Sequence, residues 1–467
     1  MEFIERIKSM TREQVANAMI DLLTHVSPEA FMKLAALASR LIEGEMAGAG
    51  VQAVIESLRE GDDSQASRMF RRVMTEVSPH CLRRVARCLF INGLLRSSAI
   101  REKFASEHGF APPFTLLISP TMQCNLRCVG CYSGLYAREK GLSYDLLDRI
   151  LGEAREIGCL FIVFSGGEPL TRKDDLFPLI EKYHDMYFMF YTNGTLINDS
   201  VADELHRLGN AGAVMSLEGF EEATDARRGK GVYRKVMEAM GRLKERGVPF
   251  GTSLTVTRNN IEQISSSDLF EHLYNMGVMI AWFFLFMPVG KDPDVSLMPT
   301  PEQREYLRHR GKELRSEFPI FIADFWNDAP YVGGCIAGGK NYLHITPKGD
   351  VEPCVFTHVA VEKIYDKSLT EALNSDLFRY IRSLQPYSEN LLTPCMIIDN
   401  PHIFREVCHK CGAYSTHEGA DDVRTKIKGE LDDYGRRVRA LFDPIWEKEK
   451  AEYGYGDPPE ISSAANL

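Results

Sequence analysis

The chain has 467 residues, 44% of them hydrophobic and 26% charged, the proportions of a globular protein of two or three domains. Its net charge of −10 argues against an extended nucleic-acid surface, which needs a basic stripe. No apolar run reaches the roughly 18 residues needed to cross a bilayer, the start Met1-Glu2-Phe3-Ile4-Glu5-Arg6 has no apolar signal core, and many of the eleven cysteines cluster at metal-ligand spacings; a cytoplasmic protein with metal-bound thiols is expected.

Residues 1–110 read as wholly helical. Thr24-His25-Val26-Ser27-Pro28 recurs 51 residues later as Thr75-Glu76-Val77-Ser78-Pro79. In each copy Ser is placed to cap a helix that starts on Pro, and apolar residues then recur at helical spacing. A break is expected at Gly44 to Gly50. Cys81 and Cys88 share a helical face and read as core residues. Packing onto the next domain ranks ahead of a lid or a membrane-surface role, because the apolar faces carry no long cationic stripe.

Residues 112–322 alternate strands with helices. Strands read at 113–119, 160–165, 187–192, 212–217, 250–257 and 279–287, and helices near 143–157, 174–185, 199–208, 232–246, 261–276 and 301–316. Six such units predict a parallel sheet. The first strand runs into Cys124-Asn125-Leu126-Arg127-Cys128-Val129-Gly130-Cys131, three cysteines at i, i+4 and i+7. A structural zinc or an electron-transfer cluster takes four protein ligands. A four-iron cluster on three thiolates leaves one iron open. The competing readings are a zinc site with a distant fourth ligand, or three unrelated thiols. Further motifs fall at later strand ends: Ser165-Gly166-Gly167-Glu168-Pro169, Thr192-Asn193-Gly194-Thr195, Ser216-Leu217-Glu218-Gly219 with Asp225 and Arg228-Gly229 beyond, and Pro288-Val289-Gly290.

The C-x3-C-x2-C loop together with these motifs resembles the radical S-adenosylmethionine (SAM) superfamily. The resemblance implies a partial (β/α)6 TIM-like barrel with reactive groups at the carboxyl ends of the strands. It also implies a [4Fe–4S] cluster on Cys124, Cys128 and Cys131. The open iron would chelate SAM, whose reductive cleavage yields a 5′-deoxyadenosyl radical that abstracts hydrogen from substrate. Gly166, Gly167 and Glu168 match the family's G-G-E motif, set against the SAM amino group. Ser216 and Glu218 match S-x-D-G, facing ribose and methionine, with Glu in place of the usual Asp. Arg228 matches D-x-x-R-G and is a candidate for the SAM carboxylate, with a surface ion pair as its alternative. Relatives carry an aromatic residue before the third cysteine; here that position is Gly130, and Tyr132 follows the cysteine instead.

Residues 323–420 hold a second cysteine set. Tyr342–Thr346 and Asp350–Glu352 flank Pro347-Lys348-Gly349 as a hairpin, which brings Cys335 and Cys354 together. Cys395, Cys408 and Cys411 follow. This pattern resembles the SPASM and twitch domains, although the full seven-cysteine set is absent. The resemblance implies one auxiliary [4Fe–4S] cluster on Cys335, Cys354 and Cys395, with Cys411 or Cys408 as fourth ligand or an open fourth position. His344, His358, His402, His409 and His417 read as structural or surface residues. Residues 421–450 read as a helix anchored by Trp446, and the tail from Gly456 as disordered.

Four segments are thus expected: a helical N-terminal domain (1–110), a radical SAM core (111–322), a small α+β cysteine-rich auxiliary-cluster domain (323–420) and a C-terminal helix with tail (421–467). The expected activity is hydrogen abstraction from a small-molecule, lipid or cofactor-precursor substrate, driven by a reductant such as flavodoxin or ferredoxin, in an oxygen-sensitive enzyme. The alternatives are a SPASM-type peptide or protein maturase and a non-enzymatic iron–sulfur electron-transfer or sensor protein. The N-terminal region lacks the strands of a winged-helix leader-peptide domain, which weighs mildly against the maturase.

Overall fold

The computed structural model describes residues 12–30, 64–134, 141–291 and 293–455. Parallel strands β1 (Thr115–Ile118), β2 (Phe161–Phe164), β3 (Tyr187–Thr192), β4 (Ala211–Leu217), β5 (Phe250–Val256) and β6 (Ile280–Leu285) stand in sequence order. Their aromatic and β-branched side chains suit a sheet covered on both faces. Leu116, Ile118, Ile162, Phe164, Phe188 and Phe190 belong to the main core cluster. The alternate positions Val163, Met189 and Val214 form a second, inner cluster with Leu117, Tyr191 and Trp282. The period of two therefore sorts one row to the main core and the other to the barrel interior.

The sheet is larger than the six expected strands. A seventh, β7 (Phe321–Asp324), pairs in parallel with β6. On the other edge β8 (Tyr342–Ile345) pairs in parallel with β1, register Leu117 to His344, and turns back as β9 (Val351–Glu352). The expected hairpin therefore exists, but it extends the barrel sheet to nine strands instead of standing in a separate unit. β10 (Val359–Ala360) and β11 (Tyr414–Ser415) form a small antiparallel pair beyond it.

Two helical details depart from expectation for local reasons. The helix expected over 261–276 is split into Ile261–Ile264 and Ser267–Met276, because the Ser266 hydroxyl accepts from the Leu269 N–H at 3.2 Å and caps a new helix. A helix not expected, Glu221–Arg228, follows β4.

The described N-terminal residues are helical and pack on the outside of the barrel. Ser78 caps the helix Pro79–Ala86, with Pro79 in its first turn. The buried Arg72 guanidinium donates to the carbonyls of Val278 and Pro319 at 2.9 and 3.1 Å. Cys81 and Cys88 are buried core residues. In the first repeat copy the Ser27 hydroxyl accepts from the Ala30 N–H at 3.2 Å. The expected break at Gly44 to Gly50 and the tail from Gly456 lie outside the described residues. At the C-terminal end Trp446 is buried within the helix Lys428–Glu449. Among the described residues no helix is long and apolar enough to cross a membrane.

Candidate iron–sulfur and SAM site

The cysteine loop leaves the carboxyl end of β1 and is clamped by the loop that follows β2. The Gly167 N–H donates to the Thr121 carbonyl at 3.0 Å, and the Glu168 N–H to the Gln123 carbonyl at 2.8 Å. A Cβ on Gly166, whose φ is +109°, would stand 2.3 Å from the Thr121 oxygen; one on Gly167 would stand 2.3 Å from the Gln123 oxygen. The two glycines therefore admit the backbone of the cysteine loop itself, a closer constraint than the approach of a ligand.

The Glu168 carboxylate is turned inward. It is fully buried and accepts from the Leu170 N–H at 3.1 Å, the Thr192 hydroxyl at 2.7 Å and the Asn193 N–H at 2.8 Å. Burial raises its carboxyl to about 6, against the pull of these donors. Glu168 thus ties the second strand's loop to the third's. Asn193 in turn donates to the Asn125 side chain at 2.8 Å and lies 3.9 Å from the Cys124 thiol.

Glu218 is also buried. Its Oε1 accepts from Arg227 and Arg228, each at 2.6 Å, while its Oε2 has no hydrogen-bond partner among the described residues. Arg228 is therefore in a buried ion pair, not the surface pair its sequence context allowed. Arg227, not singled out from sequence, comes from the unexpected helix Glu221–Arg228 and shares the same carboxylate.

Cys124, Cys128 and Cys131 border a cavity of about 470 Å³ at the carboxyl ends of the strands. Gly166, Gly167, Ser216 and Arg228 line the same cavity, whereas Glu168 and Glu218 stand behind it. Burial lifts the Cys124 thiol to about 11 and also raises Cys128, the latter opposed by Arg228. Such thiols stay protonated until a metal displaces the proton. No group of three His, Cys, Asp or Glu among the described residues is placed for a single metal ion. The three cysteines line a cavity that accommodates a multi-atom cluster and a ligand beside it, so the donor set fits an iron–sulfur cluster.

Aromatic rings wall the cavity. Tyr132 donates toward or accepts from Ser165 at 2.9 Å and meets Phe356 edge-on, with centroids 5.6 Å apart. Gly130 has φ +60°, and a Cβ there would lie 2.7 Å from the Phe286 ring. The ring missing before the third cysteine is thus replaced by Phe286, which follows β6. No local motif marks Phe286 or Phe356.

The C-terminal thiols assemble from three separate segments. The Tyr342 hydroxyl lies 2.8 Å from the Cys354 sulfur. Cys335 is close enough to Cys354 and to Cys395 to raise both thiols, after the larger effect of burial. Buried Tyr387 feels all three. Burial raises Cys335 to about 11 and Cys354 to about 12. Cys411 stands elsewhere: its sulfur lies 3.8 Å from the Asp376 carbonyl, and its charged neighbours are Asp376 and Lys410. Cys408 is buried beside Arg424. The expected histidines also have ordinary partners. His344 bridges Ser119 at 2.7 Å and Glu352 at 2.6 Å, and His358 meets His417 at 2.6 Å, all buried.

A partial parallel barrel with a three-thiol loop at the end of its first strand, and a second thiol group behind it, defines an iron–sulfur class of protein. Residues 118–267 match the radical SAM superfamily, and residues 335–412 match the SPASM iron–sulfur cluster-binding domain. The chain therefore carries both domains, which imply a [4Fe–4S] cluster with SAM and auxiliary iron–sulfur binding. It is 27% identical over 288 residues to the PqqA peptide cyclase of Gluconobacter oxydans, covering 58% of this chain and 80% of that protein. It is also 27% identical over 326 residues to the AdoMet-dependent heme synthase of Methanosarcina barkeri, covering 63% and 89%. The fold resembles Streptococcus suis SuiB bound to S-adenosylmethionine, with a TM-score of 0.54 and 19% identity over 73% of this chain and 84% of that one.

Proposed function

We propose that the protein is a radical SAM enzyme in which Cys124, Cys128 and Cys131 hold the SAM-cleaving [4Fe–4S] cluster, and Cys335, Cys354 and Cys395 hold an auxiliary one. The observation that carries this reading is the convergence of three thiols, Gly166, Gly167, Ser216 and Arg228 on one cavity. When bound, the cluster supplies the electron that cleaves SAM to methionine and a 5′-deoxyadenosyl radical. The chain's own residues hold and shield that chemistry. Asn193, fixed by Glu168, steadies the cysteine loop. Glu218, behind the cavity, sets Arg227 and Arg228 at the cavity wall. The aromatic walls confine the site, so that a radical formed there would meet only the C–H bond held against it.

The substrate in this reading is a small molecule, lipid or cofactor precursor. The all-helical character of the described N-terminal residues supports it. A second reading, a peptide maturase, is favoured by the similarity to a PqqA peptide cyclase. A cytoplasmic location and a flavodoxin- or ferredoxin-type reductant belong to either reading.

The test is reconstitution without oxygen, followed by iron and sulfide analysis and 5′-deoxyadenosine formation from SAM under dithionite. About eight irons per chain with SAM cleavage is expected for two clusters. About four irons with cleavage removes the auxiliary assignment; iron without cleavage, tested across candidate substrates, turns the reading toward electron transfer or sensing.

A further inference from the structure

The charge on the cavity wall is one-sided. Among its described lining residues Arg127, Arg227, Arg228 and Lys291 are cationic, and none is Asp or Glu. The chain as a whole carries −10, so this concentration of cation runs against the composition. Arg227 and Arg228 share a single carboxylate, Glu218. The Arg127 guanidinium donates to the carbonyls of Cys124 and Leu126, at 3.3 and 3.1 Å, which leaves its charge uncompensated. Lys291 is exposed at the edge of the cavity, held by its own N–H to the Cys131 carbonyl at 3.1 Å, and its ammonium has no ion pair among the described residues.

The cofactors would absorb only part of this excess. A four-iron cluster on three thiolates is a net monoanion when oxidised and a dianion when reduced, and SAM chelated through its neutral amine and its carboxylate adds no net charge, so the four cations less Glu218 still leave at least one positive charge unmatched. A cavity with unneutralised cations and low-dielectric aromatic walls draws in and retains anions. Those walls are substantial: Tyr132, Tyr191, Phe284, Phe286 and Phe356 line the same space. Tyr191 also belongs to the inner cluster of the barrel, whereas Arg127 and Lys291 are exposed.

We propose that the substrate of this cavity is a largely apolar molecule bearing an acidic group, a carboxylate or phosphate, which Lys291 and Arg127 hold at the mouth while the apolar body lies against the aromatic walls. This rests on the radical SAM reading and narrows it. Lys291 and Arg127 act here as specificity-determining residues: they choose the charge of what enters and fix which end stays at the cavity edge.

The test uses the reconstituted, SAM-loaded full chain and a fluorescent probe series sharing one apolar body: pyrenebutyrate, pyrenebutyl phosphate, pyrenebutanol and pyrenebutylamine. Saturable binding of at least one anion about tenfold tighter than the alcohol or the amine is expected, as one charge-assisted contact supplies. The preference should vanish in K291E combined with R127E, persist in K291R, and weaken with added salt. Whichever anion binds tighter names the acid. Probes that bind without regard to charge, that do not bind, or that keep their preference in the doubly reversed variant overturn the proposal. Iron content and SAM cleavage are read on the same samples. Protein that holds iron and cleaves SAM but shows no anion preference loses this inference alone, whereas protein lacking both loses the functional reading beneath it.

Discussion

Cys124, Cys128 and Cys131 come from one stretch of eight residues, while Cys335, Cys354 and Cys395 are gathered from a span of 61. The first set is held by its own loop, clamped from one side by the Gly166–Glu168 backbone, and it borders a cavity lined with polar and aromatic groups. The second is assembled by a hairpin laid on β1 and by the segment carrying Cys395, and phenols stand near it: Tyr342 touches Cys354, and buried Tyr387 is within electrostatic reach of all three thiols. One arrangement leaves a side free for a ligand to enter. The other surrounds its thiols with buried rings, as suits a group that stores charge or stiffens the structure. The difference teaches that one loop can hold three thiols beside open space, whereas thiols gathered from distant segments are enclosed by the side chains that bring those segments together.

The contrast breaks most sharply under cysteine replacement. Cys128→Ala should abolish 5′-deoxyadenosine formation, a loss of at least about a thousandfold if radical generation requires the cluster, while about four irons remain in the C-terminal set. Retained cleavage would end the assignment. Cys335→Ala with Cys354→Ala should do the converse, lowering iron by about four per chain while SAM still binds to the barrel site by equilibrium dialysis. Unchanged iron would show that the second set holds no such cluster.

Smaller changes sharpen the picture of what holds the reactive loop. Glu218→Gln removes the carboxylate shared by Arg227 and Arg228 and should cost about 3 kcal/mol in urea unfolding, because it strands buried cations. A change below about 0.5 kcal/mol would mean the pair is dispensable. Gly167→Ala places a Cβ against the Gln123 carbonyl; we expect about 2 kcal/mol of destabilisation and faster iron loss from the barrel site than from the C-terminal one. Equal rates would separate that glycine from the loop it clamps.

The smallest effect concerns pH. Burial depresses both members of the His358–His417 pair, so the unfolded chain takes up protons that the folded one refuses. Stability from this pair is therefore complete above the ordinary histidine range, near 6.5, and declines as pH falls through it. The urea midpoint should drop between pH 7.5 and 5.5 in the parent and drop less in His417→Gln. Parallel profiles would show the pair is not the titrating element.

Much of the architecture was legible because its signals are local. The six strands and the helices between them appear where hydrophobic period and caps placed them, and Ser78-Pro79 starts a helix as its chemistry dictates. The split at Ser265-Ser266 lies between two apolar runs, where the Ser266 hydroxyl caps the second helix. The helix Glu221–Arg228 is mostly polar and presents no apolar stripe, so neither it nor Arg227 carries a local signal. Glu168 and Glu218 were expected to face SAM. Their positions in the motifs are local facts, but the direction of each carboxylate depends on Thr192, Asn193, Arg227 and Arg228, which no spacing rule connects to them.

By itself the sequence determined the cysteine loop and the succession of strands and helices along the chain, since these follow from near neighbours. The tertiary structure alone decided that a hairpin more than two hundred residues after β1 completes its sheet edge, that Phe286 fills the space left at Gly130, and that Cys411 lies against the Asp376 carbonyl. Such pairings are set by side-chain packing between distant segments, where the free energy depends on which surfaces fit together in three dimensions and sequence separation carries no information.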